Sequence, residues 1–419
     1  MMRRFSFLLL LLAPAFAHAQ DPAMHPGFDA AKLKSITELL DKAVADGDIH
    51  GAVALVHRDG KLALAAVTSR PEQPLKRDSI FRIASMTKPI TSVAAMILVD
   101  DGKLKLDDPI SKYIPEFKDI RVYAASKEGE KDPTVPAERP ITVHHLLTHT
   151  SGLVYRLAAP KPLAEKFVAA GIHDGISTYD GKLADNVKKI ASLPLWFQPG
   201  TAWHYGLNTD VLGRVVEVAS GMEIDAFMKQ RIFDPLGMKD TSFYPPEDKI
   251  ARMAPVYSLG GDKKIAELKE GNITVGNLVW SGSFHLKGPR TYFSPGGGLV
   301  STADDYSRFM QMMLNGGTLD GKKILSPESV KKMTTNQIGD IAKNPGVHGN
   351  QFGYGFGIVS EKSKDAATPG SYTWGGFYHT YFWVDPEKRI TAVLMTQLYP
   401  NDHLKFREKF KESVYAAVK

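Results

Sequence analysis

The segment Phe81-Arg82-Ile83-Ala84-Ser85-Met86-Thr87-Lys88-Pro89 carries the strongest chemical signal in the chain. A spacing of i, i+3 places Ser85 and Lys88 on one face of a helix, close enough for the amine to take the hydroxyl proton. Proline is tolerated only in the first turn of a helix, so Pro89 predicts a helix start near Ser85. The serine would then lie at the positive end of that helix, where unpaired backbone N–H groups stabilise negative charge.

A second Ser-x-x-Lys pattern, Ser329-Val330-Lys331-Lys332, shows how little the spacing alone decides. It follows Ser326-Pro327, which is typical of the capped start of an ordinary polar helix. We interpret this copy as a surface helix with two exposed lysines. The choice of Ser85 as nucleophile therefore depends on the rest of the chain.

The N-terminus has the features of a secretory signal peptide. Arg3 and Arg4 precede the apolar run Leu8–Leu12, and Ala17-His18-Ala19 follows as a small-residue cleavage site. The run is shorter than the roughly 20 apolar residues that span a bilayer. We therefore expect residues 1–19 to be removed, no stable membrane insertion, and a mature protein in the periplasm or the medium.

Composition excludes several classes of function. The chain has 419 residues, a formal net charge of +6 and no dense block of lysine and arginine, so nucleic-acid binding has no support. It has no cysteine, which excludes disulfides, a cysteine nucleophile, thiolate zinc sites and a lipid-modified cysteine. A chain of this length can bury a large apolar interior, so we expect a core that is stable without disulfides. We also expect no cofactor.

Strand patterns occur near both ends of the chain, and helical patterns lie between them. The predicted helices cover 30–46, 90–100, 209–219 and 301–313, the last with a capped start at Ser301-Thr302. The predicted strands cover 51–58 and 61–68, a hairpin joined at Asp59-Gly60, and then 352–360, 371–384 and 389–397. This order predicts one antiparallel sheet assembled from both chain ends, flanked by helices and carrying an inserted, mainly helical lobe. The fold class is α+β.

Further motifs follow Ser85 in a fixed order along nearly the whole mature chain. They are Ile141-Thr142-Val143, Leu146-Leu147-Thr148-His149-Thr150-Ser151-Gly152-Leu153, Tyr205 before Val211-Leu212-Gly213, Pro235-Leu236-Gly237-Met238, Gly296-Gly297-Gly298-Leu299 and Trp374-Gly375-Gly376. With this series the sequence resembles the serine β-lactamase/penicillin-binding-protein-like superfamily, on the branch of class C β-lactamases and family VIII carboxylesterases. The resemblance implies a β-lactamase/transpeptidase-like fold. It also implies a single catalytic domain over 20–419, with a sheet lobe at about 28–78 and 290–419 and a helical lobe at about 80–289.

The resemblance assigns proton transfer to a tyrosine as well as to the lysine. In the family this residue belongs to a Tyr-x-Asn motif, and here the segment is Tyr205-Gly206-Leu207. Tyr205 would move a proton between Ser85 and the leaving group. Leu207 replaces the motif's asparagine and is placed among the substrate-binding residues. The neighbouring Asn208 is an alternative for the motif's asparagine, but it is interpreted as the N-cap of the following helix and left out of the catalytic set.

The third family motif, Lys/His-Thr-Gly, is replaced here by Trp374-Gly375-Gly376, a form seen in family VIII esterases. The missing cation would have helped to bind the carboxylate of a β-lactam. Tryptophan offers an apolar wall and one N–H donor, which suits a neutral ester better. The resemblance places the oxyanion hole at the backbone N–H groups of Ser85 and Phe377.

The sequence therefore predicts an exported serine hydrolase that cleaves small-molecule esters through an acyl-enzyme on Ser85. Lys88 and Tyr205 act as general base and acid, and which of them is the base stays open. The alternatives are a β-lactamase, D-amino-acid peptidase or DD-peptidase acting on amides, and a non-catalytic envelope-binding protein. The sequence does not decide the oligomeric state.

His145 and His149 are spaced i, i+4 on a predicted helix, as in a zinc pair. No glutamate lies between them as in His-Glu-x-x-His, and no third ligand is evident. We therefore expect no metal and interpret both histidines as packing residues behind the site.

Overall fold

A computed structural model describes residues 25–124, 133–260, 264–268, 271–276, 278–339, 341, 351–401 and 404–419. The predicted signal peptide, residues 1–19, lies outside the described residues. In the part of the chain that is described, no helix is long and apolar enough to span a bilayer.

The four predicted helices are present, and further helices lie between and after them. The helices of the described residues are α1 (Ala30–Ala45), α2 (Thr87–Asp100), α3 (Val143–Leu147), α4 (Lys161–Ala169), α5 (Leu183–Ala191), α6 (Asn208–Ser220), α7 (Ile224–Met228), α8 (Asp234–Leu236), α9 (Ala303–Leu314), α10 (Pro327–Met333) and α11 (Phe406–Ala416). The four predicted helices correspond to α1, α2, α6 and α9. The Thr302 side chain caps α9 by accepting a hydrogen bond from the backbone N–H of Asp305, as predicted.

The strands are short except at the centre of the main sheet. They are β1 (Gly51–Arg58), β2 (Lys61–Ser69), β3 (Phe81–Arg82), β4 (Arg121–Tyr123), β5 (Thr134–Pro136), β6 (Tyr257–Leu259), β7 (Ile265–Glu267), β8 (Asn272–Val275), β9 (Leu278–Ser281), β10 (Val300–Ser301), β11 (Thr318–Leu319), β12 (Lys322–Lys323), β13 (Gln351–Phe352), β14 (Gly357–Ile358), β15 (Tyr372–Gly375), β16 (Tyr381–Asp385), β17 (Ile390–Met395) and β18 (Leu398–Tyr399).

The main sheet joins the two ends of the chain. Its seven strands are antiparallel and lie in the order β13-β14-β15-β16-β17-β1-β2. The early hairpin β1–β2 meets the late strands where Val53 of β1 pairs with Met395 of β17. The predicted sheet from both chain ends, and with it the α+β fold class, is confirmed.

Helices cover both faces of this sheet, which explains why β1 is apolar at nearly every position. Val53 and Leu55 point into a core that contains α2 and α9. Ala54 and Val56 point the other way, into a core that contains α1 and α11. Successive side chains of a strand alternate between faces, so a strand buried on both sides has no polar face.

Two predicted strands are each divided in the structure. The prediction of one strand over 371–384 is wrong, because residues 376–380 form a turn between β15 and β16. His379 has a φ of +67° in this turn. The prediction over 352–360 is also wrong in its length, because only β13 and β14 pair there and a turn separates them. Alternating apolar residues do not reveal where such turns interrupt the pairing.

Candidate active site

The start of α2 places Ser85 beside Lys88. A 3-10 turn over Ala84–Met86 leads directly into the helix, and Pro89 is its third residue, as the sequence predicts. Ala84 has a φ of +43°, a left-handed conformation that few residues other than glycine adopt. Lys88 is 1% exposed, and its Nζ lies 3.3 Å from Ser85 Oγ. The two groups are thus within proton-transfer distance.

Three further groups surround the amine of Lys88. Its Nζ donates a hydrogen bond to the Gly296 carbonyl oxygen at 2.6 Å. It also lies 4.7 Å from the ring centre of Tyr205 and 5.4 Å from that of Tyr155. These contacts hold the amine in one place beside Ser85.

Tyr205 and Trp374 form an aromatic wall beside the lysine. Their ring centres are 5.4 Å apart, and Trp374 Nε1 lies 3.4 Å from the Tyr205 hydroxyl. Phe352 packs on Trp374 from the other side, at a ring-centre distance of 5.4 Å. The structure therefore brings together Ser85, Lys88, Tyr205 and Trp374.

The turn between β15 and β16 packs against the segment that precedes Ser85. The Gly376 N–H donates to the Thr380 carbonyl at 2.8 Å, and Thr380 Oγ1 donates to the Ile83 carbonyl at 3.4 Å. Any side chain at Gly376 would collide with Ile83 and Thr380. Phe377, in the same turn, stacks on Tyr399 with ring centres 3.9 Å apart. Gly375, Gly376 and the predicted oxyanion residue Phe377 thus lie near the nucleophile.

Leu207, a predicted substrate-binding residue, has no exposed surface. It is fully buried in the core that contains α2. This position is unfavourable for contact with a substrate, because no part of the side chain reaches solvent.

The interpretation of Asn208 as an N-cap is wrong, since α6 begins at Asn208 and its side chain makes no capping hydrogen bond. The Asn208 amide instead accepts a hydrogen bond from Ser151 Oγ at 2.5 Å and donates to the Leu153 carbonyl at 3.2 Å.

Comparison with known proteins identifies the family. The Beta-lactamase family matches residues 36–415. The chain belongs to the Beta-lactamase family.

The most similar relatives include esterases. Protein Rv1367c of Mycobacterium tuberculosis is 35% identical over 382 residues, which cover 88% of this chain and 89% of that protein. Esterase EstB of Burkholderia gladioli is 34% identical over 388 residues, which cover 88% and 91%. The solved structure of EstCE1, a hydrolase with promiscuous acyltransferase activity, aligns with a TM-score of 0.77 at 26% identity, covering 92% of this chain and 99% of that one. This Beta-lactamase family chain is therefore an enzyme of the serine-hydrolase type, and the alternative of a non-catalytic binding protein is wrong.

The second Ser-x-x-Lys copy of this family member does not form such a pair. Ser329 Oγ donates to Asp100 Oδ1 at 2.6 Å, and Lys332 forms an ion pair with Glu328 at 2.9 Å. The Ser326 side chain caps this helix, α10, as predicted. The structure thus separates two identical sequence patterns by what each side chain contacts.

His145 and His149 are not arranged as a zinc pair. The prediction that both lie on one helix is wrong, since α3 ends at Leu147 and His149 has a φ of +57°. His149 is buried, its Nδ1 lies 3.0 Å from Asn208 Nδ2, and burial holds its pKa well below the usual value. A neutral His149 therefore packs behind Tyr205, with ring centres 5.0 Å apart. The described residues contain no group of side chains suited to a metal.

Asp210 is a site residue that the sequence analysis missed. It is fully buried in the first turn of α6, and its Oδ1 lies 3.4 Å from Ser294 Oγ. The Gly296 backbone links Asp210 to Lys88, because its N–H contacts the Asp210 carboxyl and its carbonyl oxygen accepts a hydrogen bond from Lys88 Nζ. Burial raises the pKa of Asp210 to about 7, although the charge of Lys88 lowers it.

We expect the free energy of unfolding of the wild type to fall as pH rises from about 4 to about 7, and we expect Asp210→Asn to lack this fall. The folded pKa of Asp210 is about 7, above an unfolded value near about 3.9. The native state therefore holds a proton that the unfolded chain releases, and the free energy of unfolding falls across this window by up to about 4 kcal/mol. Asparagine cannot titrate.

Urea unfolding of both proteins between about pH 4 and pH 8 measures this effect. Asp174 and Asp305 also have pKa values raised to about 6 by burial. They are present in both proteins, so the difference between the two pH curves reports Asp210. Parallel curves would contradict the assignment.

Proposed function

We propose that the protein is an exported carboxylesterase that cleaves esters through an acyl-enzyme on Ser85. The observation that carries the proposal is the 3.3 Å distance between Ser85 Oγ and the buried Nζ of Lys88. Support comes from the relatives, among which Esterase EstB aligns with this chain over 388 residues.

In the acylation step, Ser85 Oγ attacks the ester carbonyl carbon and passes its proton to the Lys88–Tyr205 pair. Lys88 Nζ lies 3.3 Å from Ser85 Oγ and 4.7 Å from the ring centre of Tyr205, which places both residues beside the nucleophile. The carbonyl oxygen becomes an oxyanion, which the N–H groups of Ser85 and Phe377 stabilise. Each such donor contributes about 10²–10³ in kcat.

Collapse of the tetrahedral intermediate completes the reaction. The alcohol leaves with a proton from Tyr205, and the acyl group remains on Ser85. Water then attacks the acyl-enzyme and gives one proton to the same pair of residues. The pair passes a proton to Ser85 Oγ as its bond to the acyl carbon breaks, which releases the carboxylic acid and restores Ser85. No cofactor is needed for this sequence of steps.

The surroundings of Trp374 favour esters over β-lactams. Its indole N–H faces the Tyr205 hydroxyl, and its ring belongs to an apolar wall with Phe352. Arg407 contacts the turn that follows this strand, where its Nη2 donates to the Gly376 carbonyl at 2.8 Å. However, its guanidinium lies on the side to which Gly375 points, opposite to Trp374, because neighbouring positions of a strand alternate.

A comparison of two chromogenic substrates tests this preference. We expect kcat/KM for p-nitrophenyl butyrate to exceed that for a chromogenic cephalosporin by about 100-fold or more, because Trp374 stands where the family motif has the lysine or histidine that would pair with the lactam carboxylate. Initial rates at matched concentrations of purified protein measure the ratio. A faster rate on the cephalosporin would favour the amide-hydrolase alternative, a β-lactamase or peptidase.

The proposal also places the mature protein outside the cytoplasm. Arg3, Arg4 and the apolar run Leu8–Leu12 support a cleavable signal peptide. Expression of the full chain in a bacterium, followed by intact mass measurement of the exported protein, should give a chain that begins at Gln20. Recovery of only the full-length protein, in the cytoplasm, would contradict the proposal.

A further inference from the structure

Arg82 is buried at the base of a cavity beside the segment that carries Ser85. It belongs to β3, three residues before the proposed nucleophile, and is 3% exposed. Its pKa is lowered to about 10 by burial, so the guanidinium still carries its charge at neutral pH. A buried cation is unfavourable unless neighbouring groups compensate its charge and satisfy its donors.

The described residues leave this charge without a carboxylate partner. Nη1 donates to the Ala254 carbonyl at 2.8 Å and lies 3.5 Å from Gln397 Oε1. Nε is buried and has no hydrogen-bond partner among the described residues. Gln397 also holds the Arg82 backbone, accepting from its N–H at 3.1 Å and donating to its carbonyl at 3.0 Å. The guanidinium is therefore held in position with unused donor capacity.

A neighbouring arginine shows the usual arrangement. Arg252 lines the same cavity and forms ion pairs with Asp78 and Asp240 at 3.1 and 2.8 Å. Its donors also reach the Asp78 carbonyl at 2.6 Å. The more exposed arginine is thus paired with two carboxylates, and the buried one, Arg82, is paired with none.

The cavity is large enough for a small organic molecule. Its volume is about 920 Å³, within the range of ligand pockets. Its walls are partly apolar, with Leu75, Met253, Val256 and Leu268 among the lining residues, and include polar groups such as Ser283. Four basic residues and two acidic residues line it, which leaves an excess of positive charge. The basic residues are Lys76, Arg82, Arg252 and Lys287, and the acidic residues are Asp78 and Glu267.

We propose that this cavity is a second ligand site, which binds a small carboxylate with an apolar body through Arg82. Arg82 lines the cavity, and its planar guanidinium matches the two oxygens of a carboxylate. The apolar walls fit a hydrocarbon body rather than inorganic phosphate, which would leave them against a strongly hydrated ion.

This site is separate from the proposed catalytic residues. Ser85, Lys88, Tyr205 and Trp374 do not line the cavity. Val256 and Leu268 connect the two regions, because they line the cavity and also pack in the cluster that contains Ala84 and Phe377. The proposal does not depend on the assignment of Ser85 as nucleophile.

Calorimetric titration of the full chain with hexanoate tests the proposal. We expect wild type and Ser85→Ala to bind hexanoate alike, and Arg82→Gln to bind it about tenfold or more weakly, because a charge-assisted hydrogen-bond pair is lost. Ser283→Phe narrows the cavity and leaves the Arg82 side chain in place, so it should weaken binding even if Arg82→Gln folds poorly. Arg389→Gln is the matched control: it removes one positive charge from an ion pair with Asp59, outside the cavity, and should bind as wild type does.

Three results would overturn the proposal. One is the absence of hexanoate binding by the wild type up to about 10 mM. Another is binding that persists unchanged in Ser283→Phe, which would place the ligand elsewhere. The third is binding of inorganic phosphate as tight as that of hexanoate, which would indicate a general anion site.

Discussion

Ser85→Ala is expected to lower kcat/KM for p-nitrophenyl butyrate by about 10⁴-fold or more. The hydroxyl that would form the acyl-enzyme is removed, and Lys88 cannot replace it from its buried position. Initial rates over a range of ester concentrations measure the change. The variant should keep the unfolding midpoint of the wild type, because Ser85 is partly exposed and loses only a hydroxyl group.

The chain supplies its own control for this experiment. Ser329→Ala alters the second Ser-x-x-Lys pattern, where Ser329 Oγ contacts Asp100 and no lysine amine. This variant should retain wild-type kcat and KM, with a loss of about 1 kcal/mol of stability from the missing hydrogen bond. Equal activity of Ser85→Ala and the wild type would show that Ser85 is not the nucleophile.

Lys88→Met is expected to lower kcat by about 10³-fold with little change in KM. Methionine fills a similar volume but cannot accept or donate the proton of Ser85. It also leaves the Gly296 carbonyl without its donor, so a loss of about 1–3 kcal/mol of stability accompanies the loss of rate. Ester hydrolysis and urea unfolding should be measured on the same preparation.

Lys332→Met is the matched control for this variant. Lys332 holds the same place in the second pattern, yet its amine pairs with Glu328 at the surface. Loss of an exposed ion pair costs little, so both rate and stability should stay close to wild type. A Lys88→Met protein that is folded and retains most of its kcat would exclude Lys88 as the base.

Local signals explain what could be predicted from the sequence. Pro89 marks the start of α2, and Asp59-Gly60 marks the hairpin between β1 and β2, because both act through a few neighbouring residues. The prediction that both chain ends share one sheet followed from the order of strand and helix patterns. It did not specify the order of the strands within that sheet.

Contacts between distant segments explain what was missed. Tyr155 and Asp210 reach Lys88 from other elements, 67 and 122 positions further along the chain, and neither has a pattern that indicates this. Asn208 was predicted to cap a helix, but its side chain instead forms hydrogen bonds with Ser151 and Leu153 from a distant segment. Leu207, predicted to bind substrate from its place in a motif, faces the core instead.

Covalent labelling of Ser85 tests the central claim most directly. Purified protein is treated with a fluorophosphonate, its intact mass is measured, and the modified peptide is mapped. We expect one adduct per chain, located on Ser85, with none in Ser85→Ala and full labelling in Ser329→Ala. An adduct on another residue, or equal labelling of Ser85→Ala, would contradict the claim.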